Sequence, residues 1–391
     1  MILPRKIFEK IDGRSIELVC SINSNAVTAT LVYFEAGSNP KVISEIHREV
    51  RASKGLSNDQ LFDHVLSLLK KTLEESIQES QSMFQIEDLL QDHQQIQKIQ
   101  VILGAPFNKV DLHNFDLKTD INQAISKEVI EEGMVRAIPQ GHARLDTVVT
   151  STHANGYLAE VQSLVGMNAQ EVNISFLEIY GRFDYMETIF QLINGLYNIE
   201  KENINFFSAE SAIQKELQTN FKPRGSYAVL QILGTHSTVA LYSKDILVGY
   251  TTAEFGWNTM QDNAIENGFA LNVEAYESMV RTYTRGHLDE EHSQQMSELI
   301  ENESREIDQV IEQLSFENQI TKPKDMYVQS DRQIVKALIK NNNDSGSTRA
   351  ILLQPNVSNV DRIDDENTPL LSSNVMIVKY LQDKLQDNIV V

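Results

Sequence analysis

Cysteine is all but absent from this chain of 391 residues: Cys20 stands alone, inside an apolar strand pattern. One thiol excludes an intrachain disulfide framework, so a reducing compartment is expected, and Cys20 reads as a small buried hydrophobe. Positive charge is also scarce, with 34 Lys and Arg against 55 Asp and Glu and a formal net charge of −21. The acidic excess is spread along the chain. Nucleic acid and anionic lipid surfaces need a basic footprint and are not expected as main partners. No apolar run approaches the length of a membrane span, and the opening MILPRKIFEK lacks the apolar core of a signal peptide. Nucleophile elbow, P-loop and zinc-finger spacings are missing too. These absences leave an acidic, cytoplasmic protein with no direct membrane insertion.

What is present is an ordinary globular composition, 41% hydrophobic and 23% charged, and enough length for two to four domains or subdomains. Residues 227–259 carry most of the information. They read as a strand over 227–233, a tight turn, strands over 237–243 and 246–253, then a glycine opening a helix. A similar unit stands near the N-terminus, with strands near 15–22, 27–34 and 41–47. The first turn of each unit is a place where backbone N–H groups could cradle a phosphate. Two copies of one unit suggest two halves facing each other across a cleft.

After the first unit, Ser57 and Gln60 form a capping box. Leu61, Val65, Leu68, Leu69 and Leu73 then recur on one helical face. A Gln-rich stretch at 91–98 precedes a short buried strand from Ile99 that ends at Gly104-Ala-Pro-Phe107. The middle segment has another rhythm: a helix near 119–132, strands around 146–153, 157–163 and 170–178, and a helix over 184–197 with Met186, Ile189, Phe190, Ile193 and Leu196 on one side. The second unit continues into helical stretches from 259 to 315, a strand at 326–329 and a helix from Asp331 to Lys340. A strand at 349–354 and a final helix over 373–386 follow.

A strand–turn–strand unit given twice, with a module inserted after the first, resembles the actin-like ATPase superfamily, and within it the division protein FtsA and the pilus-assembly protein PilM. The stretch Val229–Leu241 sits where those families carry a phosphate loop, and Glu254-Phe-Gly-Trp-Asn-Thr259 where they carry a glycine pair opening a helix. Asn155-Gly-Tyr157 with Gly166 resembles a pattern of their inserted subdomain. The resemblance implies an α/β, duplicated actin-like (ribonuclease-H-like) two-lobed fold with a small inserted α+β subdomain. Its parts would be a first lobe over 1–113, the inserted subdomain over 114–200, a second lobe over 201–355 and a C-terminal tail over 356–391.

The resemblance further implies a nucleotide site built from Ser21, Asn23, Ser24 and Asn25 of the first turn, and from Gln231, Gly234, Thr235, His236 and Ser237 of the second. Gly256 and Trp257 at the following helix complete it. Where such families begin their phosphate loops with Asp, this chain has Ser21 and Gln231. Neutral side chains can bond a phosphate but supply no carboxylate for the Mg²⁺ of ATP. The region near Gln329, Ser330 and Asp331, where the families carry a C-terminal glycine pair, has no glycine. A relaxed or lost nucleotide site and plain hairpin turns both fit these residues, and efficient ATP hydrolysis is not expected. The leading expectation is an FtsA/PilM-like cytoplasmic scaffold. It would dock the cytoplasmic tail of an inner-membrane division or pilus protein, with end-to-end self-association among the family's habits. The alternative is an active ATPase or sugar-kinase-like phosphotransferase, which would need an acidic residue reaching the cleft.

The remaining features have ordinary readings beside the functional ones. His236 could touch a phosphate, although turn histidines usually face solvent. Trp257, the only tryptophan, could stack on a base or pack against its helix. His287 to His292 gathers five potential metal ligands, but its histidines are five apart, and acidic residues at a helix start complement the dipole. The last helix balances Lys379 and Lys384 against Asp383 and Asp387 with Tyr380 its only aromatic, a composition for packing on the body rather than lying on a membrane.

Overall fold

The computed structural model describes residues 14–387, apart from 36, 53–54, 84–95, 120–123, 222, 245, 331–334, 346–347, 354–360 and 363–371. The start of the chain, most of the Gln-rich stretch and Asp331 lie outside the described residues. Three sheets organise the rest. In the first, β1 (Arg14–Ile22), β2 (Ala26–Glu35) and β3 (Lys41–Glu49) form an antiparallel meander, and β4 (Lys98–Leu103) and β9 (Ile204–Ser208) add parallel to β1. In the second, β10 (Tyr227–Ile232), β11 (Ser237–Ser243) and β12 (Ile246–Ala253) repeat the meander, and β13 (Asp325–Gln329) and β14 (Arg349–Leu352) repeat the parallel pair. The duplication expected from element order is therefore a duplication of topology.

Helix α1 (Asn58–Met83) starts at the predicted capping box. The Ser57 N–H donates to Gln60 Oε1 at 3.0 Å, and the Gln60 N–H to Ser57 Oγ at 3.3 Å. Its Leu61, Val65, Leu69 and Leu73 enter one core with Ile16, Leu18, Cys20 and Ile22 of β1. Helix α4 (Phe183–Tyr197) joins that core through Tyr185, Ile189 and Ile193. On the second sheet, α6 (Trp257–Glu266), α7 (Val273–Thr284), α8 (Glu290–Glu317) and α9 (Val335–Ser345) build the matching core. Helix α8 begins on the acidic cap: Asp289 Oδ1 accepts from the His292 N–H at 3.0 Å.

The third sheet is the inserted module, in the order β5 (Asn108–Lys118), β8 (Glu171–Arg182), β6 (His142–Ala154), β7 (Tyr157–Leu158). Short helices α2 (Lys127–Met134) and α3 (Val161–Leu164) cover its own small core. These strands lie within 108–182, whereas the sequence reading bounded the module at 114–200 and missed β5. The reason is a change of phase: Val110 and Leu112 face the central core, and Phe115 and Leu117 face the module's core. Such a strand shows no single alternation. The helix expected near 119–132 is correspondingly shorter, at Lys127–Met134, and the strand expected over 157–163 stops after Leu158.

The chain crosses between lobes twice. The first crossing is α5 (Ala209–Glu216) with one π-helical turn, Leu217–Phe221, between β9 and β10. After β14 the chain returns to the first sheet as β15 (Asp361–Arg362), parallel to β3, and ends in α10 (Ser372–Asp387). Helix α10 is buried at the meeting point of all three bodies, with Val375, Met376, Ile377, Val378 and Leu381 each at most 3% exposed. They pack with Val19, Val32 and Phe34 of the first sheet, Leu177 and Ile179 of the module and Val229 and Ala240 of the second sheet. Among the described residues, no helix is long and apolar enough to cross a membrane.

Candidate functional site

The two turns that the sequence singles out meet. In the first, Asn23 closes an Asx turn: its Oδ1 accepts the N–H of Asn25 at 2.8 Å and of Ala26 at 3.0 Å. The Asn23 N–H donates to the Ala26 carbonyl at 3.2 Å, and the Ser24 N–H to the Ala105 carbonyl at 3.2 Å. All four N–H groups from Asn23 to Ala26 are thus engaged within the protein. The Asn25 carbonyl in turn accepts from the Val50 N–H at 2.9 Å.

The second turn closes through the Leu233 N–H on the His236 carbonyl at 3.0 Å, and Thr235 Oγ1 lies 2.9 Å from His236 Nδ1. Its carbonyls serve the start of α6. The Trp257 N–H donates to Leu233 at 2.9 Å, and the Asn258 N–H to Gly234 at 2.8 Å. Amides at the N-terminus of a helix are the ones that would otherwise greet a phosphate. Ser237 Oγ, fully buried, donates to the Phe255 carbonyl at 2.8 Å.

Between the turns there is direct contact. The Thr235 N–H donates to Ser24 Oγ at 3.3 Å, and Asn258 Nδ2 reaches across to the Val50 carbonyl at 2.9 Å. A Cβ at Gly234 would stand 1.9 Å from the Ser24 carbonyl oxygen, and one at Gly256 2.4 Å from the Gly234 carbonyl oxygen. Only glycine fits at either position, for reasons of space. Ser24 is 0% exposed and Asn23, Asn25, Ser21 and Gln231 are all buried. Ser21 stands three residues before Ser24, and Gln231 three residues before Gly234. Gln231 lies between Thr238 and Gln329 on neighbouring strands, its Oε1 buried without a hydrogen-bond partner among the described residues.

The structure thus brings the two predicted turns together: Ser24 and Asn25 meet Gly234 and Thr235 in a polar joint between the lobes, Gly256 backs onto Gly234, and Ser21, Gln231 and Ser237 lie buried in the flanking strands. Trp257 takes its packing role: its ring lies in the second lobe's core and its indole N–H donates to Ser330 Oγ at 2.8 Å. His236 is partly buried, and that burial pulls its pKa below the usual histidine value against the opposing charge of Glu254.

Sequence reasoning missed three contributors. Gly104 is one, since a Cβ there would lie 3.1 Å from Asn23 Cβ. Asn258 is another, and a polar residue directly after Gly-Trp at a helix start was the available signal. The third is Glu210, at the head of α5 and 3% exposed, whose Oε2 accepts from Asn108 Nδ2 and Ser208 Oγ, each at 2.5 Å. Burial pushes its pKa up, opposed by those hydrogen bonds. Nothing in a turn motif points to it, because it lies on the crossing helix. Among the described residues, no group of three or more His, Cys, Asp or Glu is placed to hold a metal.

No family model matches the chain, and no curated protein matches it by sequence. Among solved structures it is similar to a chain of the PilM–PilN type IV pilus biogenesis complex, with a TM-score of 0.57 and 13% identity over 96% of this chain and 99% of that one. Weaker likenesses include the ethanolamine utilization protein EutJ from Carboxydothermus hydrogenoformans, at TM-score 0.45 and 9% identity over 94% and 89% of the two chains. A Bacteroides thetaiotaomicron protein of actin-like ATPase fold and unknown function scores 0.39 at 8% identity, over 88% and 94%. At 13% identity the likeness to the first of these shows the fold alone: this chain has an actin-like α/β fold resembling that of the matched chain.

Proposed function

We propose that this protein is a PilM-like cytoplasmic scaffold that docks the tail of an inner-membrane pilus-assembly protein, with its lobes joined rather than opened around ATP. The observation that carries the reading is the contact of Gly234 with Ser24. Where a hydrolysing relative would hold phosphates between two glycine-lined turns, backbone here meets backbone and the first turn's amides are engaged. The docking half of the reading rests on the fold likeness to a chain of the PilM–PilN complex and on the inserted module's surface. Val135, Ile138, Tyr157, Leu158 and Val165 of the module are exposed, Tyr157 at 78%. Exposed apolar side chains of this kind are what a docking partner would cover.

Two measurements test it. Thermal melting with millimolar Mg-ATP should move the midpoint by no more than about 1 °C, because a ligand stabilises only the state that binds it. A shift of several degrees would overturn the closed-joint reading. Capture of the chain by immobilised tail peptides of inner-membrane pilus proteins should be lost in Tyr157→Ser/Leu158→Ser, and no capture by any tail would overturn the docking reading. A second reading, an active ATPase or phosphotransferase, draws on Glu210, the acidic group beside the lobe junction that the turn motifs do not contain. It requires the joint to part, and a large Mg-ATP shift would favour it.

A further inference from the structure

The crossing helix α5 and the last helix α10 pack side by side, and between them lies a pocket of about 120 Å³. One water takes about 30 Å³ of liquid volume, so the space holds several waters or one small molecule in their place. Ala212 and Met376 give it an apolar wall. Four charged side chains also line it, Lys215 and Glu216 from α5 and Lys379 and Asp383 from α10. The π-helical turn Leu217–Phe221 contributes as well, and such turns are frequent at functional sites.

These charges do not close on one another. Glu216 is 4% exposed, and its Oε2 accepts from Lys379 Nζ at 3.2 Å. Its Oε1 is buried without a hydrogen-bond partner among the described residues. A carboxylate oxygen has lone pairs for about two hydrogen bonds, and a buried one left unmet is costly. Lys215 is more exposed, at 40%, and its Nζ stands 3.9 Å from Asp383 Oδ2, beyond hydrogen-bond reach. The two acids and two lysines cancel, so the pocket favours neither a bare cation nor a bare anion. It offers one unmet acceptor and one ammonium with donors to spare. Helix α5 brings the negative end of its dipole to the same place, which favours a positive group beside Glu216.

We propose that this pocket binds a small zwitterion, an α-amino acid of the size of alanine or serine. Its ammonium fills the open position at Glu216 Oε1, and its carboxylate pairs with Lys215. Its short side chain lies against Ala212 and Met376. Such a ligand bridges the helix that connects the lobes to the helix that packs against both lobes and the module. Occupancy therefore braces the connection between the lobes.

Titration calorimetry of the full chain, run at two temperatures so that a vanishing enthalpy at one is not misread, tests the proposal. Alanine and serine are the probes, with ethylamine and propionate as the corresponding half-ligands. Alanine or serine should saturate one site per chain at millimolar concentration or below, and each half-ligand should bind at least about tenfold more weakly. Lys215→Met, at an exposed position, should melt with the wild type and bind alanine at least about tenfold more weakly, the loss of one charge-assisted hydrogen bond. Glu216→Gln keeps the size of the side chain, removes the charge that holds the ammonium and should abolish alanine binding. Should Glu216→Gln fail to fold because Lys379 loses its partner, Lys215→Met and the half-ligands decide. No saturable heat with either amino acid overturns the proposal. So does undiminished alanine binding in Lys215→Met, or ethylamine binding as tightly as alanine, which would leave a plain cation site.

Discussion

Gly234 and Ser24 touch through their backbones, so closely that a methyl group on Gly234 would fall 1.9 Å from the Ser24 carbonyl oxygen. They are 210 residues apart in sequence and occupy equivalent turns of the duplicated fold. The lobes meet where the glycine of the second turn lets the Ser24 carbonyl of the first come within backbone contact.

Gly234→Ala should therefore destabilise the whole protein, because the obstructing atoms are backbone and cannot swing away. Overpacking of this kind costs about 2–3 kcal/mol. Thermal unfolding should show a midpoint lowered by a few degrees, and an alanine variant that melts with the wild type would contradict the contact.

Asn258→Leu removes the one side-chain bond that crosses from the start of α6 to the Val50 carbonyl. The carbonyl loses a donor in a buried setting, a cost of about 1–3 kcal/mol. Trp257 is the neighbouring residue and the only tryptophan, so its emission should shift to the red as the joint loosens. An unchanged spectrum together with unchanged stability would count against the bond.

His236 gives the joint a pH dependence of its own. Burial lowers its pKa, so the native state binds fewer protons than the unfolded chain. Its contribution is complete above the ordinary histidine value and is lost as pH falls through the lowered one. His236→Asn should flatten the stability profile on the acid side, measured by urea unfolding between pH 5 and 8.

Cys20 is fully buried, and burial pushes its thiol up to about 12. Native protein at pH 8 should react with a disulfide reagent only through unfolding, so the labelling rate should rise with urea in step with loss of structure. Rapid labelling without denaturant would show the first core to be open.

Ile377→Ala, in the middle of α10, should cost about 2–5 kcal/mol, as for other fully buried aliphatic side chains. The residue packs in the core shared by both lobes and the module. All three should accordingly lose stability together when unfolding is followed by separate probes in each.

The duplicated topology was legible because both meanders keep their alternation and both end at short turns. The capping box of α1 was legible because it is local, two side chains three residues apart. Strand β5 was not, since it turns Val110 and Leu112 to one core and Phe115 and Leu117 to another. The joint was half legible. The turns could be named, but that Ser24 and Gly234 close on each other depends on where two distant hairpins come to rest. Glu210 was hidden for the same reason, its neighbour Asn108 being supplied by another sheet.

The position of α10 has a consequence for how the chain is made. Asn374 receives the Thr28 hydroxyl across 346 residues of sequence, and Val19, Val32 and Phe34 are covered by side chains from the last helix. Both lobes can assemble as they leave the ribosome, yet the apolar face between them stays bare until the final segment arrives. Contacts of such long range slow folding and lengthen the time that surface is open to aggregation. A nascent chain stalled before α10 would be a natural client for chaperones.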